Sequence, residues 1–356
     1  MERAARRPRR GVRRHDHHHG HRDGAGGQGP ARSARHLRAR RRGAARAAGQ
    51  AADPSHAAAR RGAGRARAVR RGAVLSETDP VAWAARCVGS PVVARRALSG
   101  GTTSTLLALT HVDGAATVLR VVDREPWAAH RVALTTRERE VQLQLADTPV
   151  PAPRSLALDA GAGAHLMTLL PGRVDADRAD DASLRALAAT LATIHDVRAD
   201  PPPRTYESWA GPAKHVVPGW AERPEVWRQA FEVLRAGPPA YEPTFLHRDF
   251  QPWNVLWDGD RVSGVVDWVE TSTGPAWLDV AHCATNLAVL HGLERAEAFA
   301  AAYTALTGRP REPYWEVVDT VGFLPPPGGE GWVTDPAERR RFEARLVAAV
   351  AAVAAP

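Results

Sequence analysis

The sequence predicts an α+β fold in two lobes, a small antiparallel-sheet lobe followed by a larger, mainly helical one. Strand-like runs crowd one stretch, near 92–98, 104–111, 115–122, 154–159 and 164–170, with a single helical pattern between the third and fourth. Beyond 171 the spacing turns helical: in DDASLRALAATLATIHDV, Leu184, Leu187, Leu191 and Ile194 recur on one face. Between two apolar strands, the segment FLHRDFQPWNVLWDGDRVSGVVDW (245–268) sets Asp249, Asn254 and Asp267 at fixed intervals, with Pro252 breaking the loop.

Residues 1–75 are rich in Arg, Ala, Gly and His. They hold 21 of the 48 basic residues and four of the 39 acidic ones, a net +17 that leaves −8 for the rest. With almost no aliphatic periodicity, this leader has too little apolar surface to offset the entropy of ordering and is expected to be disordered. Three readings stay open for it: attraction to nucleic acid or an anionic surface, loose metal binding by HDHHHGH, or no function, since LSETDP from Leu75 resembles a natural opening. The overall +9 describes the leader, so it gives no reason to expect nucleic-acid binding by the folded part.

The small lobe, about 76–170, is expected to open on a helix capped by Asp79 and Pro80. The turn LSGGTTST then supplies Gly100, Gly101, Thr102, Thr103 and Ser104, whose backbone N–H groups and hydroxyls suit a close phosphate, although a Gly-Gly pair is also an ordinary hairpin turn. Arg120 lies in the strand AATVLRVVD. In the helix RVALTTREREVQLQLAD, Glu138 shares a face with Val141 and Leu145 and so points inward. The strand HLMTLL stops at Pro171 and Gly172. In the larger lobe, 171–356, His195 falls on the apolar face of the first helix, where it is expected to satisfy a core contact.

The types of residue in 245–268 matter. Moving a γ-phosphoryl group to a hydroxyl needs a carboxylate near the incoming oxygen and hard oxygen ligands that hold Mg²⁺ against the triphosphate. Asp249 suits the first role, while the amide oxygen of Asn254 and the carboxylate of Asp267 suit the second. Any one of them alone reads as a turn or cap residue; the set at this spacing reads as a phosphoryl-transfer site.

At these residues the chain resembles the aminoglycoside phosphotransferase (APH) family, small-molecule kinases with a protein-kinase-like fold. The resemblance runs from about Leu75 to Phe323, through LSGGTTST, TVLRVV, VPAPRSLALD, HLMTLLPGR, ATIHD and TSTGPAWLDVAH. It implies ATP as the donor, Asp249 as catalytic base or hydroxyl orienter, and Asn254 and Asp267 as magnesium ligands. Asp279 would brace the backbone of the catalytic loop from a helix start, where an acidic N-cap is favourable. Arg120 would stand in for the lysine that meets the α- and β-phosphates, since the only lysine of the chain is Lys214. A guanidinium grips phosphate through a bidentate fork. Glu138, with Glu140 as the fallback, would orient it. The main chain of Thr168 to Leu170 would form the adenine-binding edge, and His247 would pack under the loop and bond backbone.

Arg248 raises the possibility of a protein acceptor, because protein kinases carry arginine there. Only eleven residues separate Asp267 from Asp279, however, too few for an activation segment, and no Ala-Pro-Glu triplet occurs. The expected acceptor is a hydroxyl of a small molecule: an aminoglycoside-like antibiotic, amino alcohol, sugar or related metabolite. The alternative is a non-catalytic nucleotide-binding pseudokinase, motivated by Arg120. The −8 charge would tolerate a cationic amino sugar, with Trp220, Trp268 or Trp332 as candidates to face it. There is no secretory pattern or bilayer-length apolar run, and Cys87 and Cys283 lack metal spacing, so a cytoplasmic protein with no membrane partner and with buried thiols is expected.

Overall fold

The computed structural model describes residues 79–100, 103–326, 328–329 and 331–355. The leader at 1–75, Gly101 and Thr102 lie outside the described residues. The fold is α+β and two-lobed, of the protein-kinase-like kind.

Helix α1 (Pro80–Val88) starts as its sequence dictates, with Asp79 Oδ1 accepting the Val81 N–H at 3.1 Å and proline at the first helical position. Five strands follow: β1 (Val92–Ala97), β2 (Thr105–His111), β3 (Ala116–Val121), β4 (Ser155–Asp159) and β5 (Ala164–Thr168). They pair antiparallel throughout in the order β1-β2-β3-β5-β4. Arg120 sits on β3 opposite Leu106 of β2 and His165 of β5, in the middle of the sheet. Helix α2 (Arg131–Leu145) packs on β4 and β5 and buries Leu134, Glu138, Val141 and Leu145, the stripe expected of it. A small cluster of Ala84, Leu109, Leu119, Ala164 and Leu166 seals the space between α1 and the sheet.

The strand expected to reach Leu170 ends at Thr168, because the chain must swing away to form β6 (Arg173–Val174) beside β8 (Val255–Asp258) and β9 (Arg261–Val265). Gly172 makes the swing possible. Its φ is +91°, and a Cβ there would stand 2.5 Å from the Trp257 carbonyl oxygen, so no other residue fits without displacing backbone.

The larger lobe is built on helices α3 (Asp181–His195), α4 (Pro224–Arg235), α5 (Trp277–His291), α6 (Leu293–Thr307), α7 (Pro313–Gly322) and α8 (Pro336–Ala354). A second short ladder pairs β7 (Pro243–Leu246) with β10 (Ser272–Pro275). Helix α5 is buried at every residue from Trp277 to Val289, as befits a helix apolar nearly all round, and α6, α7 and α8 pack on it. Its position fixes the direction in which Asp279 and His282 point.

Three sequence expectations change here. Asp279 is not the N-cap of its helix, which is Ala276; it lies in the first turn, one residue beyond Leu278, aimed at the end of β7. Trp268 faces no ligand, being fully buried with its indole N–H donated to the Val265 carbonyl at 2.9 Å. Of the two cysteines, Cys283 is buried and Cys87 is exposed. No helix among the described residues is long and apolar enough to cross a membrane.

Candidate active site

The loop after β7 is held in a costly shape by one buried carboxylate. Arg248 has φ +72°, a left-handed conformation that costs a side-chain-bearing residue about 1–3 kcal/mol. Asp279 pins it. Its Oδ2 accepts the His247 N–H at 2.8 Å and its Oδ1 the Arg248 N–H at 2.7 Å, charge-assisted bonds that fix the turn. Burial pushes the Asp279 carboxyl up, but His195, His247 and Arg248 outweigh that and hold it below its ordinary value. His195, expected to make a core contact, bonds Asp279 at 3.2 Å through Nε2 and the Tyr303 hydroxyl at 2.6 Å through Nδ1. His247 bonds backbone, as the resemblance implies: Nε2 donates to the Val266 carbonyl at 3.1 Å and Nδ1 accepts the Asp249 N–H at 3.2 Å. That pattern needs a neutral ring, and burial lowers the pKa of His247 accordingly.

The braced loop presents the Asp249 carboxylate, whose side chain is 26% exposed, to open space. Asn254 donates through Nδ2 to Asp249 Oδ2 at 2.7 Å and to the Asp249 carbonyl at 2.8 Å, which occupies its N–H groups with the loop itself. On the other oxygen, Asp249 Oδ1 accepts from Gln251 Nε2 and from His282 Nε2, the latter at 2.9 Å. His282 continues to Asp319 through Nδ1 at 3.1 Å, and Thr285 donates its hydroxyl to Asp319 at 2.7 Å. The Phe323 ring lies flat on the His282 imidazole, centroids 5.0 Å apart.

Asp267 is the second residue with left-handed backbone, at φ +69°, its side chain 46% exposed. Surrounding protein, together with the Glu138 and Asp249 carboxylates, pushes its pKa up although nearly half of the side chain meets solvent, and Arg120 pulls it back. Arg120 Nη1 reaches both Glu138 Oε1 at 2.9 Å and Asp267 Oδ1 at 3.1 Å. Its Nε donates to Ser104 Oγ at 2.9 Å and its Nη2 to Thr103 Oγ1 at 3.2 Å. Burial works against the guanidinium charge, but Glu138 and Asp267 outweigh it and raise the pKa of Arg120 above its ordinary value. Glu138 is anchored in turn by His165 Nδ1 at 3.2 Å, and its carboxyl is held below the ordinary value despite desolvation, with Arg120 the strongest lowering influence. Glu140 is exposed and takes no part in this chain.

The structure thus brings Asp249 and Asn254 into direct contact and links Asp267, Arg120 and Glu138 in one ion-pair chain with Thr103 and Ser104. Gly100 has φ +110° and open space around it. At the end of β5 the Thr168 N–H is donated to the Arg154 carbonyl at 3.0 Å and the Leu169 N–H to Ala116 at 3.4 Å, so Leu170 is the first residue beyond these engaged donors. Among the described residues, no three His, Cys, Asp or Glu side chains converge as a metal cage. Arg248 is buried, with its guanidinium carbon 4.0 Å from the Trp209 ring centroid. Between Asp267 and Asp279 the chain forms only a short turn at Trp268–Glu270, β10 and the first turn of α5.

His282, Asp319, Thr285 and Gln251 were not singled out in the sequence. His282 did carry a signal: it lies three residues after Asp279, so a helix that aims Asp279 at the loop aims His282 there too. Asp319 carried none, since seventy residues separate it from Asp249.

A carboxylate loop braced by Asp279 and a buried cation held by Glu138 and Asp267, on this two-lobed scaffold, fit a phosphotransferase of the kinase-like class. The family model for APH, described as "Phosphotransferase enzyme family", matches residues 94–315, and the chain belongs to that family. No curated protein sequence matches it. Among solved structures, it is similar to a thermostable mutant of aminoglycoside phosphotransferase APH(4)-Ia in complex with ADP and hygromycin B, at 18% identity and TM-score 0.54, covering 78% of this chain and 99% of that one. A protein described as a fructosamine-3-kinase of Thermobifida fusca aligns at 18% identity and TM-score 0.53, covering 76% and 98%. A macrolide 2′-phosphotransferase type I aligns at 18% identity and TM-score 0.51, covering 77% and 95%. At these identities the likeness establishes the fold.

Proposed function

We propose that the protein transfers the γ-phosphoryl group of ATP to a hydroxyl group of a small molecule. The reading rests above all on the Asp249–Asn254 contact in a loop braced by Asp279, together with Asp267 held by the buried Arg120–Glu138 pair. In the transfer, the acceptor oxygen forms a bond to the γ-phosphorus and the bond from that phosphorus to the bridging oxygen breaks, so that ADP leaves with the electron pair. Asp249 orients the hydroxyl and accepts its proton, and its bonds to Asn254, Gln251 and His282 hold the carboxylate in place. Arg120 supplies fixed positive charge for the α- and β-phosphates, kept in position by Glu138, and Leu170 begins the main-chain edge for the base.

The residues present fit a magnesium ion. Asp267 and the amide oxygen of Asn254 are hard donors, and Glu138 and Asp249 add negative charge around Asp267 that a cation would offset. Bound there, the ion would offset the negative charge of the phosphates.

Purified protein incubated with ATP and magnesium is assayed for ADP release against aminoglycosides, macrolides, amino alcohols, sugars and hydroxylated acids. Acceptor-dependent release that Asp267→Ala abolishes is the expected result. Nucleotide binding without release across every class would overturn the enzyme reading in favour of a pseudokinase, which the Arg120 substitution motivates and the intact Asp249, Asn254 and Asp267 oppose.

A further inference from the structure

A guanidinium carries five N–H donors, and protein acceptors engage four of those of Arg120. Nε donates to Ser104 Oγ at 2.9 Å, Nη1 to Glu138 Oε1 at 2.9 Å and to Asp267 Oδ1 at 3.1 Å, and Nη2 to Thr103 Oγ1 at 3.2 Å. A single N–H remains, on Nη2. The acceptors come from separate parts of the chain: the turn before β2 supplies Thr103 and Ser104, α2 supplies Glu138, and Asp267 follows β9. Acceptors on all three nitrogens fix both the position of the planar group and its rotation. Only 9% of the Arg120 side chain is exposed, so water competes little for these bonds.

The cradle is itself held. Ser104 is buried, and its Oγ lies 3.0 Å from Thr103 Oγ1, so the two hydroxyls steady each other. Glu138 Oε2 accepts from His165 Nδ1 at 3.2 Å, and His165 Nε2 lies 2.9 Å from Ser155 Oγ. Both Glu138 oxygens are therefore engaged, which fixes the turn of the carboxylate. These bonds limit what the guanidinium can do. An unconstrained arginine grips phosphate through two parallel N–H bonds, from Nε and one Nη or from both Nη. In Arg120 the first fork needs the N–H that Ser104 holds, and the second needs one that Glu138 or Asp267 holds.

We propose that Thr103 and Ser104 are positioning residues whose hydroxyls serve Arg120 and not the phosphates, and that with Glu138 and Asp267 they leave Arg120 one donor, on Nη2, so that it meets the nucleotide phosphates through one N–H as an ammonium would. The proposal rests on the phosphotransferase reading above and assigns the contact made by its phosphate-binding cation. It departs from the sequence, in which the same hydroxyls suit a close phosphate and the arginine suits a fork.

Full-length wild type, Ser104→Ala, Arg120→Lys and the double variant are titrated with AMP-PNP and magnesium by calorimetry, with thermal unfolding to establish that each is folded. Lysine brings a charge and donors for Glu138, Asp267 and one phosphate oxygen but nothing in place of Nε, so Arg120→Lys is expected to keep the affinity within about fivefold. Ser104→Ala removes a hydrogen bond to a charged group and is expected to weaken binding by wild type about tenfold, yet to be silent in the Arg120→Lys background. A loss beyond the stated limit in Arg120→Lys, a silent Ser104→Ala in wild type, or an equal effect of Ser104→Ala in both backgrounds would each overturn the proposal. Should Arg120→Lys not fold, the crystal structure of the wild-type complex with AMP-PNP decides. One phosphate oxygen on Nη2 with Ser104 still on Nε supports the assignment; two phosphate oxygens on the guanidinium, or one on the Ser104 hydroxyl, overturn it. Failure of AMP-PNP to bind wild type would overturn the phosphotransferase reading itself, whereas binding to wild type with any of the adverse patterns overturns only the role given to Thr103 and Ser104.

Discussion

His282 Nε2 lies 2.9 Å from Asp249 Oδ1, and because Nδ1 of the same ring lies 3.1 Å from Asp319, both imidazole nitrogens face carboxylates. Burial alone would discharge the ring, but Asp319 and Asp249 reverse this and raise its pKa to about 9. The loop carboxylate is therefore gripped by a cation that is itself fixed from behind.

A pH dependence of stability follows from this grip. A histidine whose folded pKa is raised above its unfolded value of about 6.5 contributes stability that is fully present below 6.5 and is lost as the pH rises through about 9. In urea titrations from pH 6 to pH 10, the stability advantage of wild type over His282→Gln is expected to shrink across that window. A constant difference would show that the ring is not charged.

Asp249→Asn is expected to lower kcat by roughly 10² to 10⁴, with the affinity for ATP little changed. Single-turnover phosphoryl transfer with a fixed acceptor measures it, and full retention of the rate would remove Asp249 from the role of base.

For Asp267→Ala, the expected loss extends to binding itself. ATP affinity measured with and without magnesium should become independent of the metal, whereas in wild type magnesium strengthens it. A variant that keeps the metal effect would move the ion elsewhere.

Glu138→Gln removes one partner from a buried ion pair and leaves Arg120 with only the partly exposed Asp267 as counter-charge. Breaking such a pair costs about 3–5 kcal/mol. Chemical denaturation is expected to show a loss of that order, accompanied by weaker ATP binding, whereas Glu140→Gln, on an exposed side chain, should be silent in both.

Gly172→Ala tests the crossing from β5 to β6. With φ at +91° and backbone of Trp257 within 2.5 Å of the new Cβ, the substitution is expected to destabilise by at least the ~1–3 kcal/mol that a strained φ alone costs. Thermal unfolding of the variant provides the measurement.

Much of this protein was decided locally. The strand-like runs became the five-stranded sheet, Asp79 capped its helix, and the inward face of the helix after β3 singled out Glu138 over Glu140, because hydrophobic patterning and capping chemistry act over a few residues. The oxygen-bearing side chains between Phe245 and Trp268 could be picked out as candidates for the same reason: their spacing lies within one loop and its flanking strands. Tertiary packing alone decided the rest. Asp319 meets His282 across two helices, Asp279 bonds the loop from inside its own helix instead of capping it, and Lys214 becomes a buried cation only when segments more than a hundred residues apart close a cavity around it. No local pattern records such meetings, because they depend on how finished helices pack on one another and not on the intrinsic preferences of the residues that meet.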